Sequence, residues 1–465
     1  MKKKKILLLS DDLRLPSGVG TVSKHIVLGT VDTFDWVQVG AAVKHPDQGK
    51  VLDLSEDARN ITGVEDASVK VYPWSGYGNP DLIRQLMNTE QPDAILHFTD
   101  PRQWIWLYGM EHEVRQNIPL FFYHIWDNIP DPQYNRDYYE SCDWIGCISK
   151  QTYGITKRVW GLEKRGSWKT PSDNQVDYVP HGIDTDLYKP LDENDALMVE
   201  MKKQLFEGEE VDFVLLYNSR NIRRKMTSDV IEAFRRFLDG LDEDKRSKCK
   251  LILHTAPIDD NGTDLPKVIS HLMPEYKDNF IISGNRISEQ QLNCFYNIAD
   301  ATILVSSNEG FGLGTAESLS AGTPIIVNVT GGLQDQCGFK LDGKYLTAED
   351  YVDIQTLHNH KLWKDKVEWG EWATPVWSKA INLAGSPPTP YIYDDRVDID
   401  DVTEAIKLNY ERSREERKRR GLVGREWLKG DGSLNKEFMC QKFKEYMSRE
   451  LNSWKPRKKY EVYSI

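Results

Sequence analysis

Two carboxylates eight residues apart, Glu309 and Glu317, lie in the stretch ATILVSSNEGFGLGTAESLSAGTPIIVNVTGGLQ at residues 301–334. The apolar run 302–305 is short enough for a buried strand, and the polar, glycine-rich run 306–314 reads as a turn. A helix is expected over about 315–321, stopped by Gly322-Thr323-Pro324, with a second buried strand at 325–327. Strand, loop, helix and strand in that order place a ligand at the carboxyl edge of a parallel sheet, facing a helix N-terminus. Such a loop flanked by two carboxylates asks for an anionic ligand that carries many hydroxyls. Arg220 and Lys225 follow directly after another apolar run, 213–217, and fixed cations at a strand's edge can neutralise an anion with little reorganisation. A solvated charge run is the competing reading. His124 ends the apolar run 120–124, at the carboxyl end of a buried strand where a cleft would open. A histidine hydrogen-bonded inside the protein is its alternative.

The elements that must position these groups read as alternating strands and helices, the pattern of α/β domains. In the first half, strands are expected at 6–9, 36–39, 69–72, 94–98 and 120–124, with a helix over 80–88. Gly18-Val19-Gly20 follows the first strand and precedes a helix, so backbone amides there can approach a ligand closely. In the second half, strands are expected at 213–217, 251–253 and 280–282. Ser288 then caps a helix that runs to Ala299, just before the Glu309 stretch.

A chain of 465 residues is too long for one ordinary core and implies two domains of roughly 200 residues each. No apolar run approaches the ~20 residues of a membrane span. Lys2 to Lys5 before 6–9 imitates a signal peptide, but the apolar part ends after four residues at Ser10-Asp11-Asp12 and reads as a first strand. The six cysteines (Cys142, Cys147, Cys249, Cys294, Cys337, Cys440) form no CxxC pair, so reduced thiols and a cytoplasmic setting are expected, with no zinc site. A net charge of −12 argues against an overall nucleic-acid glove. Basic clusters stand at 220–225, 412–420 and 455–459. The middle one, interleaved with Glu411, Glu415 and Glu416, reads as a solvated helix face.

Glu309-Gly-Phe-Gly-Leu, then Glu317 and Gly322-Thr323-Pro324, resembles the E-x7-E signature of retaining GT-B glycosyltransferases, closest to the GT4 type (glycosyl transferases group 1). Other pieces resembling the family follow the same order: Gly18–Gly20, His124, the strand of 142–150 that ends in a serine, and 179–190 (VPHGIDTDLYKP), similar to the hinge between the two domains. Arg220 and Lys225 match its Arg-x4-Lys, although Ser219 stands where the family has glycine. The start SDDLRLPSGVGTVSKH is similar to bacteriophage-encoded members. The resemblance covers about 5–335 and 395–455.

The resemblance implies an α/β, GT-B fold: two Rossmann-like domains facing across a deep cleft, with a C-terminal helix crossing back to the N-terminal domain. The expected division is 1–192 for the acceptor side, 193–436 for the nucleotide-sugar side with a Trp-rich insertion about 337–390, and 437–465 for the crossover helix and tail. Within the insertion, Trp363, Trp369, Trp372 and Trp377 either stack on an acceptor or form the core of a packed flap.

As site residues the resemblance implies Arg220 and Lys225 on the diphosphate, Glu309 on the transferred sugar with amides of Gly310, Phe311, Gly312 and Leu313, and Glu317 on the ribose. It also implies His124 on the donor sugar, Gly18 and Gly20 shaping the cleft, and Arg286 and Ile287 beside the base. No cofactor or metal is expected beyond the nucleotide sugar as co-substrate, UDP-glucose first. No carboxylate is placed as a nucleophile for a two-carboxylate hydrolase. The implied reaction moves a hexose to a hydroxyl acceptor with retention. The acceptor stays open between a carbohydrate, a small molecule and hydroxymethylated pyrimidine in DNA, the last requiring a flipped base. A nucleotide-sugar epimerase or a non-catalytic sugar-binding protein of this fold are readings of another class.

Overall fold

The computed structural model describes residues 2–42, 44–161, 175–353 and 364–457. Trp363, most of the polar stretch 165–177 and the basic pair Lys458 and Lys459 lie outside them.

In the first half, β1 (Lys4–Asp11), β2 (Phe34–Ala41), β3 (Leu52–Asp53), β4 (Val69–Pro73), β5 (Ala94–Phe98), β6 (Leu120–His124), β7 (Trp144–Cys147) and β8 (Val176–Tyr178) form one sheet. Its order is β3-β4-β2-β1-β5-β6-β7-β8. All pairings are parallel except β3 with β4. Parallel strands are covered on both faces, which is why Ile6, Leu7, Leu8 and Leu9 are all buried and the strand shows no alternation.

The second half repeats the scheme with β9 (Phe213–Asn218), β10 (Cys249–His254), β11 (Phe280–Ser283), β12 (Ala301–Leu304) and β13 (Ile325–Asn328). Three short strands, β14 (Lys340–Leu341), β15 (Lys344–Tyr345) and β16 (Val367–Glu368), form a side sheet, and β17 (Ala373–Val376) then returns to the main one. The main order, β11-β10-β9-β12-β13-β17, reverses direction between β9 and β12, and at such a switch point the loops after both strands face one crevice. The first sheet reverses between β1 and β5 in the same way. The Gly18 loop, the Arg220–Lys225 segment and the Glu309 loop therefore all leave strands that border a switch point.

The chain crosses between halves twice, side by side. Ile183 of the outgoing segment donates to Leu434 O (2.8 Å), and its carbonyl accepts from Lys436 N (2.9 Å) on the return. The last helix, Lys436–Ser453, then lies on the first half. Phe443 packs edge-on to Tyr123 (4.8 Å between centroids), Lys444 pairs with Asp32 and Arg449 with Asp177 (2.6 Å each).

Residues 337–390 are not wholly an insertion. Ala373–Val376 is the sixth strand of the second sheet, hidden from the sequence by Pro375, which an edge strand tolerates. Trp372 stacks on Trp427 at 4.8 Å and 28° and donates to Gln336 O, while Trp377 packs against Phe339. Both are core residues, and Trp369 is exposed. Two more strands, β18 (Ala380–Ser386) and β19 (Thr389–Arg396), form an antiparallel hairpin apart from either sheet. The six cysteines are free and buried, and no helix among the described residues is long and apolar enough to cross a membrane.

The basic cluster of 412–420 is a solvated face with one exception. Arg419 and Arg420 pair with Glu416 on the helix Arg414–Lys429, but Arg417 is buried on Asp300 (2.9 Å), whose carboxylate also accepts from Val214 N. Removing one partner of a buried pair strands the other charge. Arg417→Ala should therefore lower unfolding free energy by about 3–5 kcal/mol, and Lys418→Ala next to it by about 1 kcal/mol or less. Equal denaturant midpoints for the two variants would contradict this.

Candidate active site

The Glu309 loop is shaped by glycines where no side chain fits. Gly312, at φ +88°, opens the helix Leu313–Ser320, and a Cβ there would lie 2.5 Å from Leu333 Cδ2. Gly331 and Gly332 run directly beneath the loop: Gly332 N donates to Glu309 O (2.9 Å), and a Cβ on either glycine would overlap the carbonyl oxygens of Glu309 or Gly310. The loop is thus gripped backbone to backbone.

Four charged groups from three strand ends converge on it. Lys225 Nζ is in direct contact with Glu309 Oε2, and both side chains are buried. Arg224 Nη1 donates to Asn308 O (2.7 Å) and stands 3.8 Å from Glu309 Oε2 and 3.5 Å from Asp127 Oδ2. Ser306 Oγ donates to the same Glu309 oxygen at 3.3 Å. Burial pushes the Glu309 carboxyl up, but Lys225 and Arg224 more than offset it and hold it below the ordinary range. Burial also lowers the Lys225 pKa, opposed by Glu309, and raises that of Asp127, opposed by Arg224. Asp127 follows β6 of the first half, so the cluster closes across the cleft.

Glu317, one turn into the helix Leu313–Ser320, is buried separately. Tyr296 OH donates to its Oε2 at 2.6 Å and accepts from Asn218 Nδ2 at 2.7 Å, and burial lifts the Glu317 carboxyl to about 7. Gly18 faces the start of the same helix from across the cleft, with a Cβ position 3.3 Å from Leu313 Cδ1. Gly20 packs inward under Leu15 O and donates to the capping Ser17 Oγ (3.0 Å). Gly310 lies close to Ile148 of the first half, and the Phe311 ring lies 5.2 Å from that of His181.

Other residues expected at the site stand apart from this cluster. His124 ends β6 as expected but is buried. Its Nδ1 meets Thr156 Oγ1 (3.0 Å), its Nε2 meets Tyr139 OH (3.2 Å), and burial lowers its pKa to about 3. Both ring nitrogens are occupied in the core, and it is Asp127, three residues on, that reaches the cluster. Arg220 turns out to solvent and pairs with Asp259 (2.8 Å), so in this conformation Arg224 takes the place beside Glu309. Arg286 is exposed and Ile287 packs partly against the core, at the rim beyond β11.

Several positioning residues gave no sequence signal. Gln151 accepts from Gly331 N (3.2 Å) and Gln334 Nε2 (2.9 Å) and donates to Asp127 O (3.0 Å), which ties the glycine pair to the first half. The hairpin strand Thr389–Arg396 spans both halves. Tyr393 N donates to Ile129 O (2.6 Å) and Tyr391 O accepts from Tyr134 OH (2.8 Å), while Asp394 accepts from Asn308 (3.1 Å) and Asp395 from Thr330 (2.6 Å). Only tertiary contact brings these residues to the junction of the two halves.

Two Rossmann-like sheets facing across a cleft are the GT-B fold. Sucrose-phosphate synthase from Thermosynechococcus elongatus superposes over 97% of this chain and 100% of that one, with a TM-score of 0.64 at 17% identity. Anabaena HepE, solved with UDP and glucose, gives 0.61 over 96% and 100% at 13% identity. Residues 200–351 match the family model described as Glycosyl transferases group 1. In sequence the chain is 24% identical over 222 residues to a D-inositol 3-phosphate glycosyltransferase of Nocardiopsis dassonvillei, 45% of this chain and 49% of that protein. The chain thus spans about half the length of the curated relatives it matches.

Proposed function

We propose that this chain transfers a hexosyl group from a nucleoside diphosphate sugar, UDP-glucose first, to a hydroxyl acceptor with retention of configuration. The observation that carries the reading is the Lys225–Glu309–Arg224–Asp127 cluster, built from both halves at the switch point. The group 1 match over 200–351 covers the part of the chain that carries Lys225, Glu309 and Glu317. In this reading the diphosphate takes up Lys225 and Arg224, with Arg220 swinging in from its exposed pair. Fixed cations there stabilise the charge that grows as the nucleoside diphosphate departs. Glu309, released from Lys225, accepts hydroxyls of the transferred sugar, and the backbone amides of the Gly310–Leu313 loop help hold it. Asp127, poised beside Arg224, faces the acceptor side. The leaving phosphate takes the acceptor proton in a front-face attack. The test is release of free UDP from UDP-glucose that depends on an added hydroxyl acceptor. Acceptor-independent turnover to a changed nucleotide sugar would identify an epimerase, and binding without turnover a non-catalytic protein.

Glu317 gives this reading a pH signature. Its ionised carboxylate is the form that accepts hydrogen bonds from a ribose diol, and its pKa of about 7 in the free protein must fall on binding. Affinity for UDP should therefore rise with pH, by roughly tenfold from one unit below that pKa to well above it. Glu317→Gln should flatten the profile. Tighter UDP binding at the acid end would overturn the assignment.

A further inference from the structure

Behind the helix that carries Glu317 lies a concavity of about 610 Å³, its open mouth included, with no member of the Glu309 cluster in its wall. Its floor is apolar, with Met198 and Leu422 among its residues, and four cations surround it: Lys202, Arg414, Arg417 and Lys418. Two of these are accounted for. Arg417 is neutralised by Asp300 at 2.9 Å, and Lys418 leans on Glu193 at 3.4 Å.

Lys202 and Arg414 form no ion pair among the described residues, although the other arginines of the same basic helix nearly all do. Lys202 is half-buried, and burial together with the Arg414 charge lowers its pKa, opposed by the carboxylates of Glu193 and Asp300. The two carboxylates of the wall, Asp300 and Glu193, are engaged by Arg417 and Lys418, so Lys202 and Arg414 leave the concavity with an excess of positive charge. Apolar lining residues beside these cations also offer contact to a small organic group.

We propose that this concavity binds a phosphoryl dianion, as free phosphate or as a phosphomonoester, held by Lys202 and Arg414. A dianion satisfies two cations at once through charge-assisted hydrogen bonds, which a chloride or a single carboxylate does less well. The site lies outside the cleft and does not depend on the proposed glycosyl transfer.

Calorimetric titration of the full chain at low ionic strength, with inorganic phosphate and in parallel with glycerol phosphate, tests it. Saturable binding is expected in the wild type. Lys202→Ala and Arg414→Ala should each weaken it roughly tenfold or more. Lys225→Ala, which leaves the wall of the concavity intact, should keep wild-type affinity wherever the chain is folded. Both rim side chains reach solvent, so melting temperatures without phosphate should stay unchanged and a folding defect can be told apart from lost binding. Tighter binding of glycerol phosphate would assign the apolar floor to the ester, and equal affinity would assign the ligand as free phosphate. Absence of saturable binding in the wild type, wild-type affinity in both rim variants, or a loss confined to Lys225→Ala would overturn the site.

Discussion

Lys225→Ala should lower kcat for sugar transfer by about 10²-fold or more, with the chain still folded. Lys225 is buried against Glu309 at the end of the turn that follows β9, so its ammonium is fixed before any ligand arrives. A cation held in place without reorganisation is worth most where charge develops, and in the proposed reaction that is the departing diphosphate. The substitution has a second consequence, because it leaves the Glu309 carboxylate buried with only Arg224, at 3.8 Å, and the Ser306 hydroxyl. Stability should fall by about 3 kcal/mol, less than for a fully stranded charge because Arg224 remains. The double variant Lys225→Ala/Glu309→Gln separates the two effects: it should recover most of the stability and none of the turnover. Arg220→Ala should cost less than Lys225→Ala, since Arg220 is not fixed in place and must first leave its solvent-exposed pair with Asp259. Turnover of Lys225→Ala within a few-fold of wild type, measured as acceptor-dependent UDP release, would remove the diphosphate from this site.

The parts of this arrangement legible in the sequence are those fixed by local rules. Buried parallel strands read as uninterrupted apolar runs, and the runs at 94–98 and 120–124 coincide with β5 and β6. The Ser288 cap is present as a full capping box with Gln291. The Gly-rich loop of Glu309 lies where a strand-loop-helix unit must place it. What the sequence left hidden depends on partners far along the chain. Whether His124 faces a cleft or a core is decided by Thr156 and Tyr139, and whether Arg220 or Arg224 meets Glu309 by a tight turn ending in left-handed Met226. Clustered tryptophans look alike whether they stack on a ligand or on each other, and Trp427, 55 residues beyond Trp372, settles that pair as core. The hairpin of β18 and β19 carries no local signal for the two halves it joins.

Gly332→Ala should be nearly as damaging as loss of Lys225, although it removes no charged group. Its Cβ would overlap Gly310 O and stand 2.5 Å from Phe311 Cα, and neither backbone atom can swing aside as a side chain could. The Glu309–Phe311 segment must therefore shift away from the glycine pair. The hydrogen bond from Gly332 N to Glu309 O (2.9 Å), which sets the height of the loop over that pair, must lengthen. A displacement of about 1 Å at groups that orient a reacting sugar can cost ~10² in rate. Donor affinity should suffer less, because Lys225 and Glu317 approach from other elements. A matched control is Gly343→Ala in the turn between β14 and β15. It also adds a methyl, at φ +75°, but has nothing within 4 Å of the new carbon. That variant should lose about 1 kcal/mol of stability to backbone strain and keep its turnover. If Gly332→Ala and Gly343→Ala have the same kcat, the glycine pair does not set the position of Glu309, and the loop tolerates movement that the proposed chemistry should forbid.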